Sequence, residues 1–286
     1  MTAFATPGPV TATLEVAGAQ VRVTASDRTD TVVRVEPRDP ASRKDVTVAG
    51  KTKVDLADGR LTVKTITPGD KTGSVVITVG LPAGSSLAAY LAHSSVRVDG
   101  SVGRCELHMA SGRVQLDRVD TVRANISAGE VAIARIAGRA DIEGGAFAVR
   151  IGEVDGPAGI TGSGGQAWIG RAAADLELSS STGSFDIDRA DGSVTATTAS
   201  GAIRIGRMTH GQAKLMNGSG DIEVGISDGA AVCTDVSSER GVVRNSVASP
   251  STSQSPSPER TDASGATVTV HARTRHGDII IHRAAS

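Results

Sequence analysis

Thr182-Gly183-Ser184-Phe185-Asp186-Ile187 is followed 18 residues on by Ser200-Gly201-Ala202-Ile203-Arg204-Ile205, and then by Ser219-Gly220-Asp221-Ile222-Glu223-Val224. Each phrase sets a turn residue ahead of apolar side chains at the second and fourth positions after the glycine. The same unit reads upstream as Ser111-Gly112-Arg113-Val114-Gln115-Leu116 and Ala128-Gly129-Glu130-Val131-Ala132-Ile133. The anchor slots are Gly112, Gly129, Phe147, Gly165, Gly183, Gly201 and Gly220, so the steps are 17, 18, 18, 18, 18 and 19. A unit this short cannot bury a core alone, so successive copies must stack. The expected fold is all-β: a β-solenoid (β-helix or β-roll-like) of ~18-residue coils with an irregular β-rich N-terminal cap.

Within each coil a second apolar pair follows the first: Val122/Ala124, Ala140/Ile142, Leu176/Leu178, Val194/Ala196 and Ala213/Leu215. Two short strands and two turns therefore make a rung, and in-register stacking places like positions about 4.8 Å apart. Phe147 breaks the anchor rule. A slot that demands positive φ would strain Phe, so Gly144-Gly145 are expected to absorb the turn.

Residues 10–81 alternate in polarity as strands do, with turn clusters at Asp27-Arg28-Thr29-Asp30, Asp58-Gly59 and Pro68-Gly69-Asp70. Their spacing is irregular, and no 3.6-residue apolar period persists, so no helix is expected. Residues 1–90 are read as the cap and 91–286 as the solenoid, interrupted at 246–266 by a disordered Ser/Pro insertion. The hairpin Thr267–Arg283 then reads as the last coil and as the end of the stack, its charges discouraging further pairing.

Of the 286 residues 39% are hydrophobic, yet the aromatics are only Phe4, Tyr90, Phe147, Trp168 and Phe185. Val, Ile, Leu and Ala must fill the core, which suits a narrow lumen. Thirty basic against 31 acidic residues argue against a general nucleic-acid binder. The N-terminus lacks a basic n-region and an apolar h-region, and no apolar run approaches the ~18 residues of a membrane span, so the expectation is a cytoplasmic chain. Cys105 and Cys233 are expected to be two small buried thiols rather than a disulfide.

Gly277-Asp278-Ile279-Ile280-Ile281, Gly218-Ser219-Gly220-Asp221-Ile222-Glu223-Val224, Val75-Val76-Ile77-Thr78-Val79-Gly80-Leu81-Pro82-Ala83-Gly84 and Ala25-Ser26-Asp27-Arg28-Thr29-Asp30-Thr31 carry a family likeness. Over essentially its whole length the chain resembles the bacterial β-strand-repeat proteins of unknown function grouped as putative adhesins. The resemblance implies a right-handed or related β-solenoid and no established enzymatic activity.

Six positions after the anchors runs a column of arginines: Arg118, Arg135, Arg171, Arg189 and Arg207, interrupted by Glu153. One reading is an anion-binding stripe. The other is charge balance, with Asp120, Asp155, Asp191 and Asp228 two positions further on. Trp168 stands between the inward residues Ala167 and Ile169 and should point outward, either as an interface contact or beneath an intrachain loop.

The positions after the anchors do not repeat the aspartates of a calcium roll. Gly162-Ser163-Gly164-Gly165 lacks the Lys and helix of a phosphate loop. His271, His276 and His282 read as surface histidines rather than as a metal site. No catalytic residue, metal or cofactor is expected. The leading expectation is a non-enzymatic scaffold or protein-interaction module, with a protein partner that includes a second copy of itself. An anionic-polymer-binding module using the arginine column is the second expectation and a polysaccharide-active enzyme the third.

Overall fold

The computed structural model describes residues 1–65, 73–247 and 267–284, so the Pro68-Gly69-Asp70 turn and residues 248–266 of the Ser/Pro insertion lie outside the described residues. The chain gathers into two units, Met1–Val154 and Asp155–Ser286.

In the first unit β2 (Thr11–Ala17) and β3 (Ala19–Ser26) make one rung, joined at Gly18, whose φ is +64°. Alternate residues point inward, so Ala12, Leu14, Val16, Val21 and Val23 are buried. This rung is inserted between two others that come later in sequence. On one side β2 pairs in parallel with the start of β8 (Ser86–Ile136), Thr11 opposite Ser86. On the other it pairs with β6 (Arg60–Lys64), Thr11 opposite Arg60. Likewise β3 lies between β7 (Val75–Pro82) and the second leg of β8. From there β8 winds on through successive coils to β9 (Ala140–Val154), which it meets 18 residues out of phase, Val122 opposite Ala140 and Val131 opposite Val149.

The rung formed by β6 and β7 is closed by antiparallel strands. β5 (Lys53–Ala57) pairs with β6, β4 (Asp30–Pro37) with β7, and β1 (Thr2–Ala5) with β4. Residues 1–90 thus hold two true rungs as well as a cap.

Between β4 and β5 the chain forms a helix, α1 (Arg43–Lys51), where the sequence led us to expect none. Its residues show no apolar stripe, and Asp45 is the one helix residue that is buried. The helix is held by polar contacts instead. Ser42 Oγ accepts the Asp45 N–H at 3.3 Å, and the Asp45 carboxylate accepts the backbone N–H groups of Asp39 and Ser74 at 3.0 and 2.9 Å. A hydroxyl cap of this kind starts a helix without any apolar periodicity.

The second unit continues the expected register. β10 (Ala158–Ala172) lies beside β11 (Leu176–Ala190), with Ala167 opposite Phe185 and Ile169 opposite Ile187. Next comes the rung of β12 (Val194–Ser200) and β13 (Ile203–Met208), then that of β14 (Gly211–Ser219) and β15 (Ile222–Ile226). Ile187, Ile205 and Val224 stack in one inward row, each fully buried.

The following rung in space is not the following rung in sequence. β18 (Thr267–His276) and β19 (Ile279–Arg283) pair with β14 and β15, whereas β16 (Ala231–Arg240) and β17 (Val243–Asn245) pair on the far side of β18 and β19. The expectation that Thr267–Arg283 ends the stack is therefore corrected. Among the described residues, 231–245 are outermost, and the last coil is wedged beneath them. An interrupted period gives no sign of which rung lies next to which.

The anchor glycines lie where backbone meets backbone. At Gly201 φ is +142°, and a Cβ there would run into the carbonyl group of Gly183 one rung away. Phe147 stands in register with Gly129 and is buried without a positive φ. Gly144 and Gly145 do lie against the rung beneath, where a Cβ would strike Ile126 O and Ser127 O, but neither adopts positive φ. They allow close approach rather than a left-handed turn.

Candidate functional site

In the first unit the outward residues of β2, β6 and β8 form a continuous wall with a groove of about 530 Å³. Glu15 stands opposite both Lys64 and Tyr90, and the Lys64 ammonium pairs with the Glu15 carboxylate. One coil beyond Tyr90 lies His108. The two rings stack face to face with centroids 4.8 Å apart and planes within 4°, the separation of adjacent rungs. The Glu106 carboxylate, 2.9 Å from His108 Nε2, anchors the imidazole from its own strand.

Two residues further along each strand the side chains shrink. Ala17 lies opposite Ala92, with Ala110 and Ser127 in the same row, and this step down from the aromatic pair makes the recess. Tyr90 remains 44% exposed, so its ring edge and hydroxyl are offered to solvent. Sequence reading missed this site, although the 18-residue interval between Tyr90 and His108 was the signal that would have found it.

The arginine column exists in the second unit as an in-register row, Arg171 opposite Arg189 and Arg189 opposite Arg207. Asp191 sits beneath it, its side chain 12% exposed, and accepts hydrogen bonds from Arg171 Nε at 3.0 Å and Arg189 Nε at 2.8 Å. Thr209 Oγ1 donates to the same carboxylate at 2.9 Å. Burial opposes ionisation of Asp191, but the bonds from Arg189, Thr209 and Arg171 together outweigh it and hold the carboxyl below its ordinary range. In the first unit Arg135 faces Glu153 in register at 3.1 Å, and Arg118 Nε lies 3.9 Å from Asp117. The structure thus groups three of the five arginines in one row and seats two of those on a shared carboxylate.

Trp168 points outward between buried Ala167 and Ile169, half-buried itself and in register with Asp186. The row beyond it is ionic. Arg204 Nη1 donates to Asp186 at 2.8 Å and Arg204 Nε lies 3.8 Å from Glu223, while His282 Nε2 is 3.0 Å from Glu223.

A second pattern passed unread in the sequence. Thr198, Asn217 and Thr274 are buried in register, each three residues before an anchor glycine. Each donates to the carbonyl of the preceding rung's anchor: Thr198 to Gly183, Asn217 to Gly201, Thr274 to Gly220. This ladder of hydroxyls and an amide satisfies corner carbonyls that the sheet leaves free. Its role is to lock the corner.

Among the described residues no group of three or more His, Cys, Asp or Glu is set to hold a metal ion. His271 Nδ1 and Arg273 Nη2 instead flank the Asp235 carboxylate at 3.4 and 2.7 Å, and the bond from Arg273 depresses its pKa first. Asp141 is held down chiefly by Arg139, and Asp30 by Arg28. Cys105 is buried, which pushes its thiol up to about 12, whereas Cys233 is exposed, contrary to the expectation of two buried thiols. On β16 Cys233 stands opposite Thr269, whereas its neighbours Val232 and Thr234 stand opposite buried Val268 and Val270, so its thiol belongs to the outward set of the strand. No described helix is long and apolar enough to cross a membrane.

No functionally curated protein matches the sequence. Among solved structures the chain is similar to a putative adhesin from Parabacteroides merdae at 10% identity and TM-score 0.44, covering 98% of this chain and 95% of that one. It is also similar to a putative adhesin from Parabacteroides distasonis, at 11% identity, TM-score 0.37 and coverage of 98% and 95%. A third, from Bacteroides fragilis, matches at 10% identity and TM-score 0.34 over 97% and 94% of the two chains. The Toastrack DUF4097 family model matches residues 12–282, so with its stacked strands and glycine-anchored coils the chain belongs to the Toastrack DUF4097 family.

Proposed function

We propose that this chain is a non-enzymatic interaction module that holds a protein partner against the first unit's wall, at the Tyr90–His108 groove. The observation that carries this is the groove itself: two stacked rings beside a row of small side chains, all on rigid paired strands. Aromatic side chains with a wet edge and a polar rim suit protein contact. The carboxylates with displaced pKa values, Asp30, Asp45, Asp141, Asp191 and Asp235, are held down by hydrogen bonds from their own chain, the pattern of ion pairs and caps rather than of proton donors. Against the anionic-polymer reading, two of the three arginines in the best row are already engaged by the Asp191 carboxylate of their own chain.

The test is affinity purification from the source organism with the parent chain and with Tyr90→Ala/His108→Ala, both checked by circular dichroism for equal folding. A protein partner identified with the parent and lost from the double variant supports the proposal. A partner retained equally by both removes the groove from it.

A further inference from the structure

The two units differ in how their outermost rungs are finished. In the first, β6 and β7 are covered by antiparallel β5 and β4. In the second, β16 pairs with β18 and β17 with β19, and no other described strand pairs with either, so among the described residues nothing takes up the outer row of backbone N–H and C=O groups. The side chains agree. No residue of β16 or β17 is buried, and Val242 and Val243 are 51% and 39% exposed. In the rungs beneath, the matching inward residues Val268, Val270 and Ala272 are fully buried.

Apart from Asp235, the charges on these strands stand away from the middle of the edge: Glu239 and Arg240 close the far end of β16, and Arg244 lies on β17. Asp235, the acidic residue in the middle of β16, is already held by Arg273 and His271 of its own chain. The segment Ala231-Val232-Cys233-Thr234 carries no charge at all.

We propose that this edge binds the same edge of a second copy of the chain, forming a two-fold dimer through antiparallel pairing of β16 with β16. A two-fold pairing must set like faces together, so its centre falls on a residue. Centred on Asp235 it would oppose two carboxylates. Centred on Thr234 it places Val232 opposite Val236 and Cys233 opposite Asp235, burying the valines on one face with no like charges in contact. The edge is used up by the pairing, so assembly stops at two. The first unit offers no matching free edge at β6 and β7 for head-to-tail growth. This inference is independent of the groove.

Sedimentation velocity on the full chain, from low micromolar to several hundred micromolar, tests it. The expected result is a concentration-dependent doubling of mass. A short bismaleimide should link two chains through Cys233, because Thr234-centred pairing leaves the two Cys233 residues on the diagonal, about 7–8 Å apart. Val232→Lys/Val236→Lys should remain monomeric, with circular dichroism and melting confirming that it folds. The cross-link in the parent chain stands by itself if that variant does not fold. A chain that stays monomeric at every concentration overturns the proposal. So does a dimer that survives the lysine pair or resists linkage through Cys233. A monomer that dimerises only when residues 249–264 are deleted would assign the edge to the chain's own segment and overturn it equally.

Discussion

Replacing Gly201 by Ala tests the stacking at its tightest point. The residue holds φ +142°, and a Cβ built there lies 2.6 Å from the Gly183 carbonyl carbon, 3.1 Å from Ser184 N, and nearer still to Gly183 O. The conformation alone costs a side-chain-bearing residue about 1–3 kcal/mol. Carbon atoms in ordinary contact sit ~3.5–4.0 Å apart, so the rungs must part by about 1 Å. That movement weakens the bonds fixed by the corner, including Gly201 N–H to Ser219 O at 2.9 Å and Asn217 Nδ2 to Gly201 O at 2.6 Å. At about 1 kcal/mol for each bond lost, the whole effect is ~3–5 kcal/mol. Gly229 provides the control within the same unit. Its φ is +79° and a Cβ there meets nothing within 4 Å, so Gly229→Ala should cost only the conformational part, about 1–2 kcal/mol. Urea unfolding followed by Trp168 fluorescence should place the Gly201→Ala midpoint lower by about 1 M or more, given slopes of ~1–3 kcal/mol per molar. Equal midpoints for the two variants would refute the claim that backbone-to-backbone approach at the anchors sets the stability of the stack.

Ile205→Asp puts a carboxylate between buried Ile187 and Val224 and should cost about 4 kcal/mol or more, read as loss of the native melting transition. A variant that melts with the parent would displace the register. The depressed Asp191 pKa stabilises the fold at pH values above the unfolded value of ~3.9, and this contribution is lost as pH falls through the folded pKa. The stability gap between the parent and Asp191→Asn should therefore stay level from neutral pH downward and close below about pH 4. A thiol reagent at mildly alkaline pH should modify Cys233 in the native monomer and reach Cys105 only after denaturation, because burial raises the Cys105 thiol to about 12. Rapid labelling of both would show that the first unit's core opens.

The regular rungs were legible because two chemical facts recur together: a glycine at a corner and apolar side chains at fixed offsets. That pairing foretold Leu178 over Ala196 and Phe185 over Ile203 before any coordinates. What repeats once or not at all left no such trace. α1 is held by Ser42 and Asp45, a capping signal set among threonine, valine and glycine, with no apolar face to announce it. The Tyr90–His108 stack obeys the period, but it falls where the expected cap gives way to the solenoid, so its members were not read as one row. The arginines of the second unit were legible as a column. The depth of Asp191 beneath them was not, because sequence offset gives no measure of burial.

The wedged coils have a consequence for how the chain is made. A ribosome releases β14 to β17 before Thr267 exists, yet the finished second unit needs β18 and β19 between them. During synthesis the seat beside β14 and β15 must therefore stay vacant, or be taken by β16 and β17 and then surrendered. The same holds at the start, where β2 waits for Ser86 to be translated before gaining its inner neighbour. A message truncated just short of Thr267 would not yield a slightly shorter protein. It would remove an interior course and leave residues 231–245 either unsupported or held on β14 and β15 in a seat that is not their own, a defect that quality-control proteases read as an unfinished chain.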